Sequence, residues 1–141
     1  MAKAGPEMLV ITKVYDLVIW SCRHVAKFPR SHRFTLGDRL EVRLYQVLEM
    51  LIRAKYTRDR VSILRAVNVE LELLRFQFRM AKDLQCLSVD SYGYAARSVD
   101  EVGRLLGGWV KQSEAPRRPV AAPDELPEPG QGGGAGKPGQ A

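Results

Sequence analysis

Residues 28–39 read Phe-Pro-Arg-Ser-His-Arg-Phe-Thr-Leu-Gly-Asp-Arg: a helix stop, a basic loop and a helix start within one short connection. Pro29 lacks an amide hydrogen and disfavours the helical state of the residue before it, so a helix running from about Met8 is predicted to end near Phe28. Thr35 offers a hydroxyl to cap a second helix, and Asp38 places a carboxylate near the positive end of its dipole. Between these signals lie Arg30, His32 and Arg33. They suit a phosphate or carboxylate partner, or, as the plainer alternative, solvation as a polar turn.

Around this corner, four amphipathic stretches follow one another with short breaks, and none of the intervening segments alternates like a strand. The chain is predicted to be all-α, an antiparallel up-down four-helix bundle over residues 1–112 with a disordered C-terminal tail over residues 113–141. In the first stretch Ile11, Val14, Tyr15, Val18, Cys22 and Val25 keep the i, i+3, i+4 spacing of one buried stripe. In the second, about Leu36 to Ala54, the stripe is Leu40, Leu44, Val47, Leu51 and Ala54, and Arg39, Arg43, Gln46 and Arg53 make a basic stripe on the other side.

Thr57 and Asp59 are predicted to open a third helix that runs to about Leu84 and is apolar on two sides. Leu64, Val67, Leu71, Leu74, Phe78 and Ala81 line one face, while Val69, Leu73, Phe76, Met80 and Leu84 line the nearly opposite one, with Arg75, Arg79 and Lys82 between. Such a helix either sits centrally in the bundle or buries its second face against another subunit. Trp20, on the side of the first helix away from its stripe, favours the subunit reading. A fourth helix, capped by Ser88 or Asp90, carries Tyr92, Ala95, Val99, Val102, Leu106, Trp109 and Val110 as its stripe. Gly103 and Gly107 lie within it and are read as points of close backbone approach, unless the last turn frays at Gly107-Gly108.

The net charge of +6 is unevenly spread: residues 1–112 hold nineteen Lys or Arg against twelve Asp or Glu. This excess attracts nucleic acid, acidic protein or anionic lipid without choosing among them. No apolar run is long enough to cross a bilayer, and Lys13 and Asp16 interrupt any signal-peptide core, so no membrane partner is expected and the chain is read as cytoplasmic. Cys22 and Cys86 have no metal-ligand spacing and read as small buried hydrophobes. A di-metal bundle needs Glu-x-x-His ligands, yet His24 and His32 are preceded at that spacing by Ser21 and Pro29. With Ser, Cys and His too sparse to pair a nucleophile with a base, neither catalytic residues nor a metal or other cofactor are expected.

Three collinear segments carry a family resemblance: residues 28–39 as quoted, Asn-Val-Glu-Leu-Glu-Leu-Leu-Arg-Phe at 68–76, and Glu-Val-Gly-Arg-Leu-Leu-Gly-Gly-Trp-Val at 101–110. They resemble the first interhelix turn, third helix and C-terminal helix of the four-helix-bundle family that includes the accessory variability determinant of diversity-generating retroelements. The likeness covers about residues 8–112. It implies a non-enzymatic accessory protein whose protomers form a homopentamer and whose basic surface binds the partner reverse transcriptase and nucleic acid, either template RNA or an RNA–DNA hybrid. In that role it would support mutagenic retrohoming. On this reading Arg39, Arg43, Arg53, Arg75, Arg79 and Lys82 contact phosphates, with Arg30, His32 and Arg33 as a further loop. Trp20, Val69, Leu73, Phe76, Met80 and Leu84 then serve oligomerisation. The related bundles encoded within ribosomal RNA intervening sequences supply the alternative, a scaffold that binds only a protein partner.

Overall fold

The computed structural model describes residues 5–115, and among them every regular element is helical. Helix α1 spans Pro6–Val25, with Pro6 at its first turn, where a missing amide hydrogen costs nothing, and Glu7 beside the positive end of the dipole. Helix α2 runs from Arg30 to Lys55 as one continuous helical stretch: an α-turn at Arg30–His32, a π-helical turn at Arg33–Gly37, then α-helix over Asp38–Lys55. Helix α3 spans Val61–Asp83 and α4 spans Val89–Glu114, so the bundle continues past the boundary expected at residue 112. The expected disordered tail lies, from residue 116 onward, outside the described residues.

Each helix packs against its neighbours in sequence, and α4 closes the ring on α1. Cross-helix contacts fix the alternating directions. Lys55 of α2 donates to the Met8 sulfur at the start of α1, while Tyr45 meets Cys22 near the end of α1. Lys13 pairs with Glu101, and Arg65 at the start of α3 pairs with Glu114 at the end of α4. The bundle is therefore up-down and antiparallel, as the short connections require.

The core is the sum of the four stripes, with Trp109, Phe28 and Phe78 its largest buried side chains. Tyr15, expected in the α1 stripe, is instead 55% exposed, and Val10 and Leu17 complete the buried face. The fixed 100° step explains the exchange: Leu17 falls on the same side as Val14 and Val18, whereas Tyr15 faces the α1–α2 groove. Ile11, Cys22, Tyr92 and Val110 only rim the core.

Several boundaries differ from the sequence reading. The first helix stops at Val25, and residues 26–28 turn so that Phe28 plugs the end of the core. Thr35 caps nothing; it lies inside the π-helical turn, its hydroxyl donating to the His32 carbonyl at 3.4 Å. Pro29 is the residue that starts α2, its carbonyl accepting from the His32 and Arg33 amides at 2.9 and 3.0 Å. The third helix opens at Val61 without a side-chain cap, whereas Ser88 caps α4 by accepting from the Ser91 amide at 3.0 Å.

The glycines also divide differently. A Cβ on Gly107 or Gly108 would meet nothing within 4 Å, and one on Gly103 would meet only the Arg75 guanidinium, so no backbone approaches there. The helix runs unbroken through both Gly107 and Gly108. Close approach occurs at Gly37, where a Cβ would lie 2.8 Å from a Val25 methyl.

Candidate nucleic-acid interface

The nine cations singled out in the sequence fall into two groups once their neighbours are visible. Arg43 leaves the exposed stripe to which spacing assigns it. Its guanidinium bonds Gln77 at 3.0 Å and forms an ion pair with Glu70, leaving its side chain 22% exposed. Arg75 is held between Glu72 at 3.0 Å and Asp100 at 3.3 Å. Lys82 lies 3.5 Å from Asp83 and 4.9 Å from the Tyr92 ring, and Arg79 approaches the same carboxylate at 3.9 Å. These four cations already have anionic neighbours, so a phosphate would have to compete for Arg43 and Arg75 in particular.

The remaining group is different. Arg30, Arg39 and Arg53 are exposed and have no carboxylate partner among the described residues. Arg53 stands apart near the C-terminal end of α2, whereas Arg30, His32, Arg33 and Arg39 belong to the corner where α1 hands over to α2. Arg33 is partly committed there: its Nη2 donates to the Phe28 carbonyl at 3.2 Å, and its Nε is buried without a partner among the described residues. Two residues that spacing passed over, Arg23 in the last turn of α1 and Lys27 in the turn after it, lie at the same corner, exposed and likewise unpaired among the described residues. The up-down order also brings Arg79 and Lys82, at the end of α3, to this end of the bundle. Arg97 and Arg104, without an ion pair among the described residues, are further cations that periodicity did not single out; they line the α1–α4 groove with Lys13, Tyr94, Asp100 and Glu101.

The corner's shape comes from the π-helical turn. Its widened turn re-phases the helix so that Gly37 faces Val25 and Phe28 while Phe34 stands out into solvent. A shallow concavity of about 580 Å³ lies beside it, lined by Phe34, Thr35, Leu36, Asp38, Arg39 and Val42.

The residues assigned to subunit contacts also separate. Val69, Leu73, Phe76, Met80 and Leu84 form an exposed apolar stripe along α3. Trp20 does not share that surface. It is half-buried within the protomer, stacked on His24 at 3.8 Å, tilted against Tyr94 at 4.9 Å and edge-on to Phe78 at 6.5 Å. The ring of His24 is fixed in turn by its Nδ1–H, which donates to the Trp20 carbonyl at 2.9 Å. A second apolar face, missed in the sequence because each helix contributes only part of it, crosses α1 and α2 through Met8, Tyr15, Ile19, Tyr45, Ile52 and Tyr56.

Among the described residues no group of three or more His, Cys, Asp or Glu side chains could hold a metal ion. No described helix is long and apolar enough to cross a membrane. Comparison with protein families matches residues 8–113 to the family described as bAvd-like. A search of curated proteins returns no match.

Proposed function

Because the chain belongs to the bAvd-like family of accessory proteins, we propose that it supports the mutagenic retrohoming of a diversity-generating retroelement without catalysing a step itself. It binds template RNA, or an RNA–DNA hybrid, and holds it near the partner reverse transcriptase in the cytoplasm. The observation that carries this reading is the family match across all four helices, and the concentration of unpaired cations at the α1–α2 corner supports it. Arg23, Lys27, Arg30 and Arg39 face solvent there, and a polyanion that neutralises them gains by releasing its counterions.

The proposed assembly is a homopentamer. The α3 stripe and the α1–α2 face are unlike surfaces on one protomer, which suits a head-to-tail contact that closes into a ring rather than a two-fold dimer. A closed ring would repeat the basic corner in every protomer and multiply weak phosphate contacts.

The decisive measurement is the salt dependence of RNA binding. The double variant Arg30→Glu/Arg39→Glu is expected to weaken binding and to flatten the slope of log affinity against log salt by about 1 to 2, as loss of one or two phosphate contacts requires. Binding indifferent both to salt and to these changes rejects the proposal. A second reading draws on the ion pairs of Arg43 and Arg75: with those charges already compensated, the bundle would serve as a scaffold of the ribosomal intervening-sequence type that binds only protein. Capture of the reverse transcriptase that survives nuclease treatment, with no RNA affinity of the purified protein, selects that alternative.

A further inference from the structure

We propose that the α1–α2 corner is a single-strand binding site in which one unpaired nucleobase stacks on Phe34 while the flanking phosphates engage Arg30 and Arg39. The inference rests on the nucleic-acid reading above and names where a base, rather than the backbone alone, would be held.

Phe34 is a large aromatic with 64% of its surface in water, and neither the core nor either apolar face uses it. Its position is built by the fold. The π-helical turn of Arg33–Gly37 rotates the chain so that the small Gly37 enters the space beside Val25 and Phe28, and the aromatic at 34 is displaced outward. An uninterrupted α-helical register would shift these positions relative to the core, and a Cβ at 37 would strike Val25 at 2.8 Å.

The ring is also backed by a fixed partner. The Arg33 guanidinium carbon lies 5.9 Å from the Phe34 centroid, and the Phe28 carbonyl anchors that guanidinium at 3.2 Å. Beside the ring lies the shallow concavity of about 580 Å³. Arg39 lines it, Arg30 lies in the turn just before the one that carries the ring, and neither has a carboxylate partner among the described residues.

This combination of an exposed ring with unspent guanidinium groups selects the occupant. A duplex keeps its bases stacked on one another, so only an unpaired base can use Phe34, and stacking on it discriminates little among sequences. Asp38, which also lines the concavity, repels phosphate from that wall and accepts hydrogen bonds there, which places a base amino group rather than the backbone against it. An acidic peptide would satisfy the arginines but leave the ring without a specific role.

The test uses the full chain with a fluorescently labelled single-stranded RNA and the matching duplex at low salt. Phe34→Ala is expected to weaken single-strand binding by about 5- to 150-fold, the effect of losing one base–aromatic stack, while the duplex affinity and the salt slope stay unchanged. Phe34→Trp should retain single-strand affinity. Thermal melting serves as the folding control, and Phe34 is exposed enough for its loss to leave the midpoint nearly unmoved. If Phe34→Ala binds the single strand as tightly as the wild type while Arg30→Glu/Arg39→Glu still flattens the slope, stacking is overturned and the wider nucleic-acid reading stands. A wild-type protein that binds neither RNA overturns both. Unchanged RNA binding with loss of reverse transcriptase capture after nuclease treatment reassigns the corner to a protein partner and overturns the proposal as well.

Discussion

At the scale of single residues, position along a helix is a poor guide to a charged or polar side chain, because its energy depends on what lies across the groove. Arg39 and Arg43 are one turn apart on α2, yet Arg43 meets Glu70 and Gln77 of α3 and Arg39 meets no carboxylate among the described residues. Tyr45 shows the same dependence. Its phenol contacts the Cys22 sulfur at 3.3 Å and the Glu41 carboxylate at 3.4 Å. The hydrogen bond with Cys22, partial burial and the nearby negative charge of Glu41 favour the neutral phenol and push its pKa up to about 12. A raised folded-state value means that the stability linked to this group is fully present below the ordinary tyrosine value of about 10 and is lost as pH climbs to about 12. Cys22→Ala is expected to bring the phenol titration back toward its ordinary range, read from the ultraviolet absorbance of the phenolate. An unchanged titration would show that the thiol has no part in it.

At the scale of elements, each helix boundary reflects a competition between local signals and packing. The Pro29 signal holds, since α1 has ended before it, but the same proline also starts α2, because its ring occupies a position where no amide hydrogen is needed. The capping expected at Thr35 loses to continuation of the helix, since the π-helical turn lets Phe28 and Leu40 both reach the core. At the same end of the bundle, α3 closes with the Cys86 amide donating to the Ala81 carbonyl at 2.7 Å and the Gln85 amide to the Lys82 carbonyl at 2.9 Å, with Gln85 in the left-handed region at φ 62°. Two glycine substitutions separate tight packing from mere helix weakening. Gly37→Ala is expected to destabilise the protein by about 1–3 kcal/mol, because Val25 must move to admit the methyl. Gly107→Ala is expected to stabilise it by up to about 1 kcal/mol, because the methyl enters open space and the helix loses a weak residue. Denaturant unfolding of both variants checks the pair, and equal effects would remove the distinction drawn between the two sites.

At the scale of the whole molecule, the surplus of apolar surface is the feature that a lone protomer leaves unexplained. Val69, Leu73, Phe76, Met80 and Leu84 form a continuous stripe on α3, and the α1–α2 face adds another. The proposed assembly rests on covering these rows. Phe76→Asp together with Met80→Asp is expected to convert the proposed pentamer into monomers in sedimentation velocity. Since both side chains already face solvent, helical content and cooperative unfolding should survive. A wild-type protein that sediments as a monomer defeats the assembly proposal. The sequence alone determined the four helices, the buried stripes of α2 and α3 and the two-sided character of α3, because a period of 3.6 residues is a local property that needs no partner to be visible. It also marked the basic corner, whose proline, arginines and aromatics lie next to one another in the chain. Which arginines are held in ion pairs, the packing of half-buried Trp20 against His24, Tyr94 and Phe78, and the outward position of Phe34 are settled by how the helices pack. Those outcomes depend on the register of antiparallel helices and on one widened turn, and a carboxylate 27 residues away in sequence, as Glu70 is from Arg43, acts on an arginine only once the fold has set them side by side.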